Sequence, residues 1–201
     1  MKKGLHVLGL SIMLFSCVST RIEKTWRDPE TTVDMAQVNK ILVVALLKDE
    51  TNRRVSEDQM VTYLKGKGIA SYSYGKVNTT TMNEQQVAGQ LKQDGFDAAV
   101  TMRLVDVSKD VTYTPGSFNT YPVYYRTFGG YYVRSWQSYS TPDRYNTTKT
   151  YTVETNIYSL KQNKLVWSGL TTTTDPNKVS KMMLEVADVL YKRMVKEGFV
   201  K

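Results

Sequence analysis

The apolar positions of this chain fall into runs of different period. Residues 41–47, ILVVALL, are continuously apolar, and such a β-branched run predicts a strand covered on both faces. VSEDQM follows, in which Ser56 and Gln59 read as a capping box and Val55 and Met60 as a hydrophobic staple. Glu57 and Asp58 then occupy the first turn, where the helix dipole favours acids. Met60, Val61 and Leu64 form the buried stripe of this helix, and Gly66 and Gly68 end it. IASYSYG reads as a second strand. The same grammar repeats in MNEQQV, with Asn83 as cap, Gln86 as its partner, Met82 and Val87 as staple, and Gly95 as stop.

Residues 97–114, DAAVTMRLVDVSKDVTYT, predict one long strand. Strict alternation places Val100, Met102 and Leu104 on one face and Val105, Val107, Val111 and Tyr113 on the other. An aromatic-rich insert at 114–146 comes next. TKTYTVETNIYSL then alternates again, KQNK turns at Gln162 and Asn163, and LVWSGLTTTT returns as the partner strand of a hairpin. Asp175 reads as the cap of a last helix with Pro176 in its first turn. Its stripe is Val179, Met182, Met183, Val186, Leu190 and Met194, and Gly198 ends it. The order is β-α-β-α-β followed by β-β-α. Right-handed crossovers make the first three strands parallel, and a 2-1-3 order puts helices on both faces. The expected fold is a single α/β domain with a mixed sheet of about five strands, helices packed on it and a Tyr-rich hairpin insert.

The ends of the chain add a location. Lys2 and Lys3 precede a run from 4 to 15 that is apolar apart from His6 and Ser11. That run is shorter than the roughly 20 residues of a spanning helix and suits a cleavable export signal. Leu14, Phe15 and Ser16 lead into Cys17. A Leu three places before a Cys, with a small residue between, resembles the bacterial lipoprotein signal. That resemblance implies removal of residues 1–16 and acylation of Cys17, with palmitate among the chains; Phe15 departs from the residue usual there. The alternative is an ordinary secretory signal with an incidental Cys. Two or more acyl chains hold a protein stably on a bilayer. With no Asp just after Cys17, resemblance to Gram-negative lipoproteins favours the outer membrane, facing the periplasm. Residues 17–39 read as a tether, about 25 Å long on average as coil; Ile22 and Trp26 mark a possible edge strand within it. The domain proper is expected at 40–201.

Loss of the signal removes the sole His, and lipid blocks the sole Cys. That excludes Ser-His-Asp and Cys-His nucleophiles, ordinary zinc and copper sites, and disulfides. No cofactor or metal is expected. The formal charge of +8 falls to about +6 without Lys2 and Lys3, a basic surface suited to anionic lipid. No basic run exceeds two residues, so nucleic acid is not an expected partner.

TWRDP (25–29), ILVVALLKDETNRR (41–54), GFDAAVTMRLVDV (95–107), YTVETNIYSL (151–160) and KLVWSG (164–169) occur in this order. Together they resemble a domain-of-unknown-function family of small bacterial envelope lipoproteins. The fold also looks like the α/β domains of envelope-assembly lipoproteins, such as the curli-secretion and penicillin-binding-protein-activator types. The resemblance implies a non-catalytic envelope role and brings no catalytic residues with it.

Three candidate sites follow. Lys48, Arg53 and Arg54 stand where open α/β sheets bind ligands, off the carboxyl ends of parallel strands, and are a possible anion contact; the alternative is a solvated loop with local ion pairs. Asp49, Glu50, Asp106 and Glu154 are the carboxylates an acid–base pair would need, but no spacing brings two together, so no enzyme is expected. The third candidate is YPVYYRTFGGYYVRSWQSYS, 121–140. A two-residue turn at Gly129 and Gly130 would set Tyr125 opposite Arg134, Val123 opposite Trp136, Thr127 opposite Tyr132 and Phe128 opposite Tyr131. Arg134 over Tyr125 would be a cation–π pair. Both faces of this hairpin are aromatic and only one can lie on the domain, so some aromatic area must meet solvent, a partner or membrane headgroups; the alternative is a flexible Tyr-rich loop with no ligand. Tyr121, Tyr124, Tyr125, Arg126, Phe128, Tyr131, Tyr132, Arg134 and Trp136 are the expected contacts. The expected role is a membrane-anchored binding or scaffold module for an envelope protein. The alternative is a glycan- or lipid-headgroup binder using the same aromatic surface.

Overall fold

A computed structural model describes residues 20–76, 82–115 and 144–201, with the backbone of 118–126 and 132–140. The elements in order are β1 (Thr20–Arg27), β2 (Ile41–Leu46), α1 (Glu50–Tyr63), β3 (Gly68–Ala70), α2 (Ser71–Tyr74), α3 (Glu84–Gln93), β4 (Ala98–Thr114), β5 (Phe118–Arg126), β6 (Tyr132–Ser140), β7 (Arg144–Ser159), β8 (Lys164–Thr174) and α4 (Val179–Lys196). Six strands form one mixed sheet in the order β1-β8-β7-β4-β2-β3. The continuously apolar β2 lies inside it, parallel to β3 on one side and β4 on the other. This is the expected 2-1-3 arrangement. The class is α/β as expected, with one strand more in the sheet.

Each face of β2 buries its own core. On one side Val43 and Ala45 pack with Met60 of α1, Trp167 of β8, and Met183 and Val186 of α4. On the other, Leu42 packs with Leu91 of α3, Phe96, Ala99 and Leu160. Full burial of a side chain of this kind contributes about 2 kcal/mol. The indole of Trp167, with no exposure, donates to Glu197 Oε2 at 3.1 Å, tying β8 to the end of α4.

Several local expectations are corrected. The first helix starts at Glu50, not after Ser56, because the Asp49 side chain accepts the amide of Asn52 at 2.7 Å and caps it. Ser56 lies inside the helix and donates to the Asn52 carbonyl at 2.7 Å. The second strand stops at Ala70, and Ser71–Tyr74 turns helical. The Asn83–Gln86 capping box of α3 is present as expected. Asp175 does not cap α4, which starts at Val179 behind Lys178. It exchanges hydrogen bonds with the Lys149 backbone instead (2.6 and 2.8 Å), and so closes the β7–β8 pairing. Residues 20–39 are not a coil. Thr20–Arg27 is the expected edge strand, antiparallel to β8, and Val33 bridges Val200. Leu104 and Val107 share a face rather than opposing each other. A bulge between Leu104 and Asp106 inserts one residue and restores the phase.

Candidate functional site

The longest strands outrun the rest of the sheet. β2 leaves β4 at Arg103, and β8 leaves β7 at Thr150. From there β4 and β7 pair with each other alone, as far as Thr114 opposite Arg144. Six residue pairs at about 3.4 Å per residue make an arm of about 20 Å. Its two faces differ in kind. Val107 faces Tyr151, Lys109 faces Lys149, Val111 faces Thr147 and Tyr113 faces Tyr145. The intervening pairs are Asp106 with Thr152, Ser108 with Thr150, Asp110 with Thr148, Thr112 with Asn146 and Thr114 with Arg144. One face is therefore apolar, aromatic and basic, and the other polar, with Asp110 and Arg144 both on it. The apolar face is open: Val111 is 63% exposed, Tyr113 51% and Tyr145 68%. The rings of Tyr113 and Tyr145 stack across the strands with centroids 5.1 Å apart.

At its root this face runs into a cavity of about 550 Å³, lined by Leu47, Lys48, Met102, Leu104, Tyr151 and Met183 among others. It sits off the carboxyl ends of β2 and the parallel part of β4, where the sequence placed an anion contact. Lys48 reaches its rim. Arg53 and Arg54 turn instead to Glu50, at 2.9 and 2.7 Å. These guanidiniums, Arg53 first, hold the Glu50 carboxyl below the usual range. The mouth is thus mainly apolar, with one lysine of the expected three.

A second cavity, of about 260 Å³, lies at the opposite end between residues 31–38 and the α1–α4 core. Thr155 lines it, 2% exposed, its hydroxyl without a hydrogen-bond partner among the described residues.

The four carboxylates considered for acid–base work are not brought together. Asp49 caps α1, Glu50 holds its two arginines, and Glu154 pairs with Arg103 across the strands at 2.6 Å. Among the described residues no group of three His, Cys, Asp or Glu is placed to hold a metal. Among the described residues the most deeply buried carboxylate is one the sequence places in a first helical turn: Glu57, with no exposure. It accepts the Ala45 amide at 3.0 Å, the Ser71 hydroxyl at 2.7 Å and the Tyr72 amide at 3.3 Å.

Beyond the arm, β5 and β6 form a separate two-stranded sheet. Its register differs by one residue from the expected one. Tyr124 faces Arg134, Tyr125 faces Val133, and Pro122 faces Trp136. The expected alignment of Tyr125 with Arg134 is therefore not kept. Among the expected contacts, Tyr121, Tyr124, Tyr125 and Arg126 lie on β5, and Tyr132, Arg134 and Trp136 on β6. Phe128, Tyr131, the glycine pair and Cys17 lie outside the described residues.

No family model matches the chain, and no curated protein matches it. Solved structures do. A PelC dodecamer from Paraburkholderia phytofirmans matches with a TM-score of 0.44 and 8% identity, over 85% of this chain and 94% of that one. The lipoprotein GNA1162 from Neisseria meningitidis matches with a TM-score of 0.38 and 12% identity, over 78% and 98%. A PDZ domain protein from Parabacteroides distasonis gives 0.31 and 13%, over 88% and 35%. At these identities the likeness concerns the path of the chain alone. No described helix is long and apolar enough to cross a membrane.

Proposed function

We propose that the protein is a non-catalytic envelope lipoprotein, anchored through Cys17 in the outer membrane and facing the periplasm, of the small envelope-lipoprotein kind its motifs resemble. It acts as a binding or scaffold module, and the β5–β6 hairpin is its contact surface. The observation that carries this reading is the placement of the hairpin. Among the described strands β5 and β6 pair only with each other, at the end of an arm that leaves the domain. A sheet carried outside the core contributes little to folding, so its aromatic composition points to contact with something else.

The test joins anchor and hairpin. Labelled palmitate enters the wild-type chain and not Cys17→Ser, which moves to the soluble fraction. Deletion of residues 117–146 leaves the anchored domain folded and abolishes crosslinking to its envelope partner. Unchanged crosslinking after the deletion overturns the contact role. A hydrolytic activity lost in Glu154→Gln overturns the non-catalytic one. The glycan- or headgroup-binding alternative uses the same aromatic hairpin, and loss of glycan binding on that deletion with protein partners retained favours it.

A further inference from the structure

Resting on the Cys17 anchor just proposed, we infer that the apolar face of the β4–β7 arm lies on the anionic surface of the bilayer holding that anchor. The first ground is distance. Thr20, Thr173, Tyr151 and Val107 form one register row across the sheet, through β1, β8, β7 and β4. Thr20 is fixed in that row, with its hydroxyl at 2.8 Å from that of Thr173 and 3.0 Å from Glu185 Oε2. Cys17 precedes it by three residues, a reach of at most about 10 Å. An acylated Cys17 therefore brings the headgroups to the row from which the arm departs. Thr20 and Tyr151 are two strand spacings apart, about 10 Å. An arm of twice that length, starting beside the anchor, runs along the lipid surface.

The second ground is the division of chemistry between the faces. On the polar face Asp110 and Arg144 stand among Thr and Asn, with Asp106 at its root; the lysines, Lys109 and Lys149, stand among Val and Tyr on the other, with no acid beside them on that face. Those lysines face each other directly, an unfavourable pairing of like charges; the Asp175 carboxylate accepts the Lys149 amide, but neither ammonium forms a salt bridge among the described residues. Anionic headgroups supply the missing countercharge, and Tyr rings settle at the headgroup level. The strand edges set the depth. Among the described residues no strand pairs with the outer edges of β4 beyond Arg103 or β7 before Lys149, and hydrocarbon does not satisfy the backbone groups of such edges. The arm therefore lies in the interface, as an amphipathic helix does, and does not enter the acyl core.

Acylation of Cys17 leaves the full chain without a free thiol, so single cysteines on the arm label cleanly. Val111→Cys and Thr112→Cys, on opposite faces, are each labelled with a polarity-sensitive fluorophore. The lipidated protein is then reconstituted in phosphatidylethanolamine–phosphatidylglycerol vesicles containing brominated acyl chains. The label at 111 is quenched several-fold more than the label at 112, and Lys109→Glu with Lys149→Glu reduces that difference. Equal quenching at the two positions, with palmitate present on Cys17, overturns the inference and leaves the anchor standing. Concentration-dependent self-quenching at 111 without bromine quenching assigns the face to a second copy and also overturns it. Absence of palmitate on Cys17 overturns the anchor itself.

Discussion

Glu57 shows how one residue changes its meaning with the start of its helix. A helix beginning after Ser56 makes it a first-turn acid in water. With Asp49 as the cap, Arg53, Glu57, Met60 and Leu64 fall on one stripe, and Glu57 points into the domain. There its carboxylate joins β2, α1 and α2 by accepting from Ala45, Ser71 and Tyr72. Glu57→Ala leaves three donors without an acceptor at a buried site. Breaking such a cluster from one side costs about 3 kcal/mol, and for a domain of this size Tm falls by roughly 10 °C. Thermal unfolding followed by circular dichroism checks this. Glu57→Gln, which keeps an acceptor oxygen, gives a smaller fall.

At the scale of elements, Asp94 links α2 to α3. Lys76 Nζ lies 3.0 Å from it and Gln90 Nε2 3.1 Å, and the Tyr74 hydroxyl donates to it as well. The Tyr74 hydroxyl above all, then Lys76 and Gln90, hold its carboxyl at about 2, below the ordinary 3.8. The folded-state value lies below the unfolded one, so the link stabilises fully above about pH 4. It weakens as the pH falls from there towards 2. Asp94→Asn is accordingly less stable than the wild type at neutral pH, and urea titrations show the gap closing across that acid window. The Asn83–Gln86 box at the other end of α3 was legible because a capping box is local chemistry at fixed spacing. The α4 stripe was legible for the same reason, since Met182, Met183, Val186 and Leu190 recur at helical period and are buried. Position 175 was misread because an Asp before a Pro suits both a helix cap and the end of a strand. Long-range pairing with Lys149 decided between them. The bulge after Leu104 and the register of β5 with β6 depend on the partner strand, which one strand's sequence does not contain. The candidate anion contact was likewise half legible: the place was right, but Glu50, one turn away, takes Arg53 and Arg54.

The whole molecule divides into a part that folds and a part that reaches. Both hydrophobic cores are built from residues on the domain side of the Val107–Tyr151 row; Tyr151 is the furthest member towards the arm. Val107, Val111, Tyr113 and Tyr145 are exposed and belong to neither. The pairing of β7 with β8 ends at Thr150, one residue before the Lys149–Asp175 exchange closes it. Everything beyond Lys109 and Lys149 can therefore be replaced without touching a core contact. Joining these two facing residues by an Asn-Gly turn, which suits the twist of paired strands, gives a chain without the distal arm and hairpin. Its Tm stays within about 3 °C of the full chain, since surface changes outside a core rarely exceed about 0.5 kcal/mol. Under the proposed function it stays membrane-bound through Cys17 and loses the crosslinked partner. A large fall in Tm would instead assign the arm a folding role and return its apolar face to the core. The same truncation thus separates a domain that needs its arm for stability from one that spends those residues on contact with its surroundings.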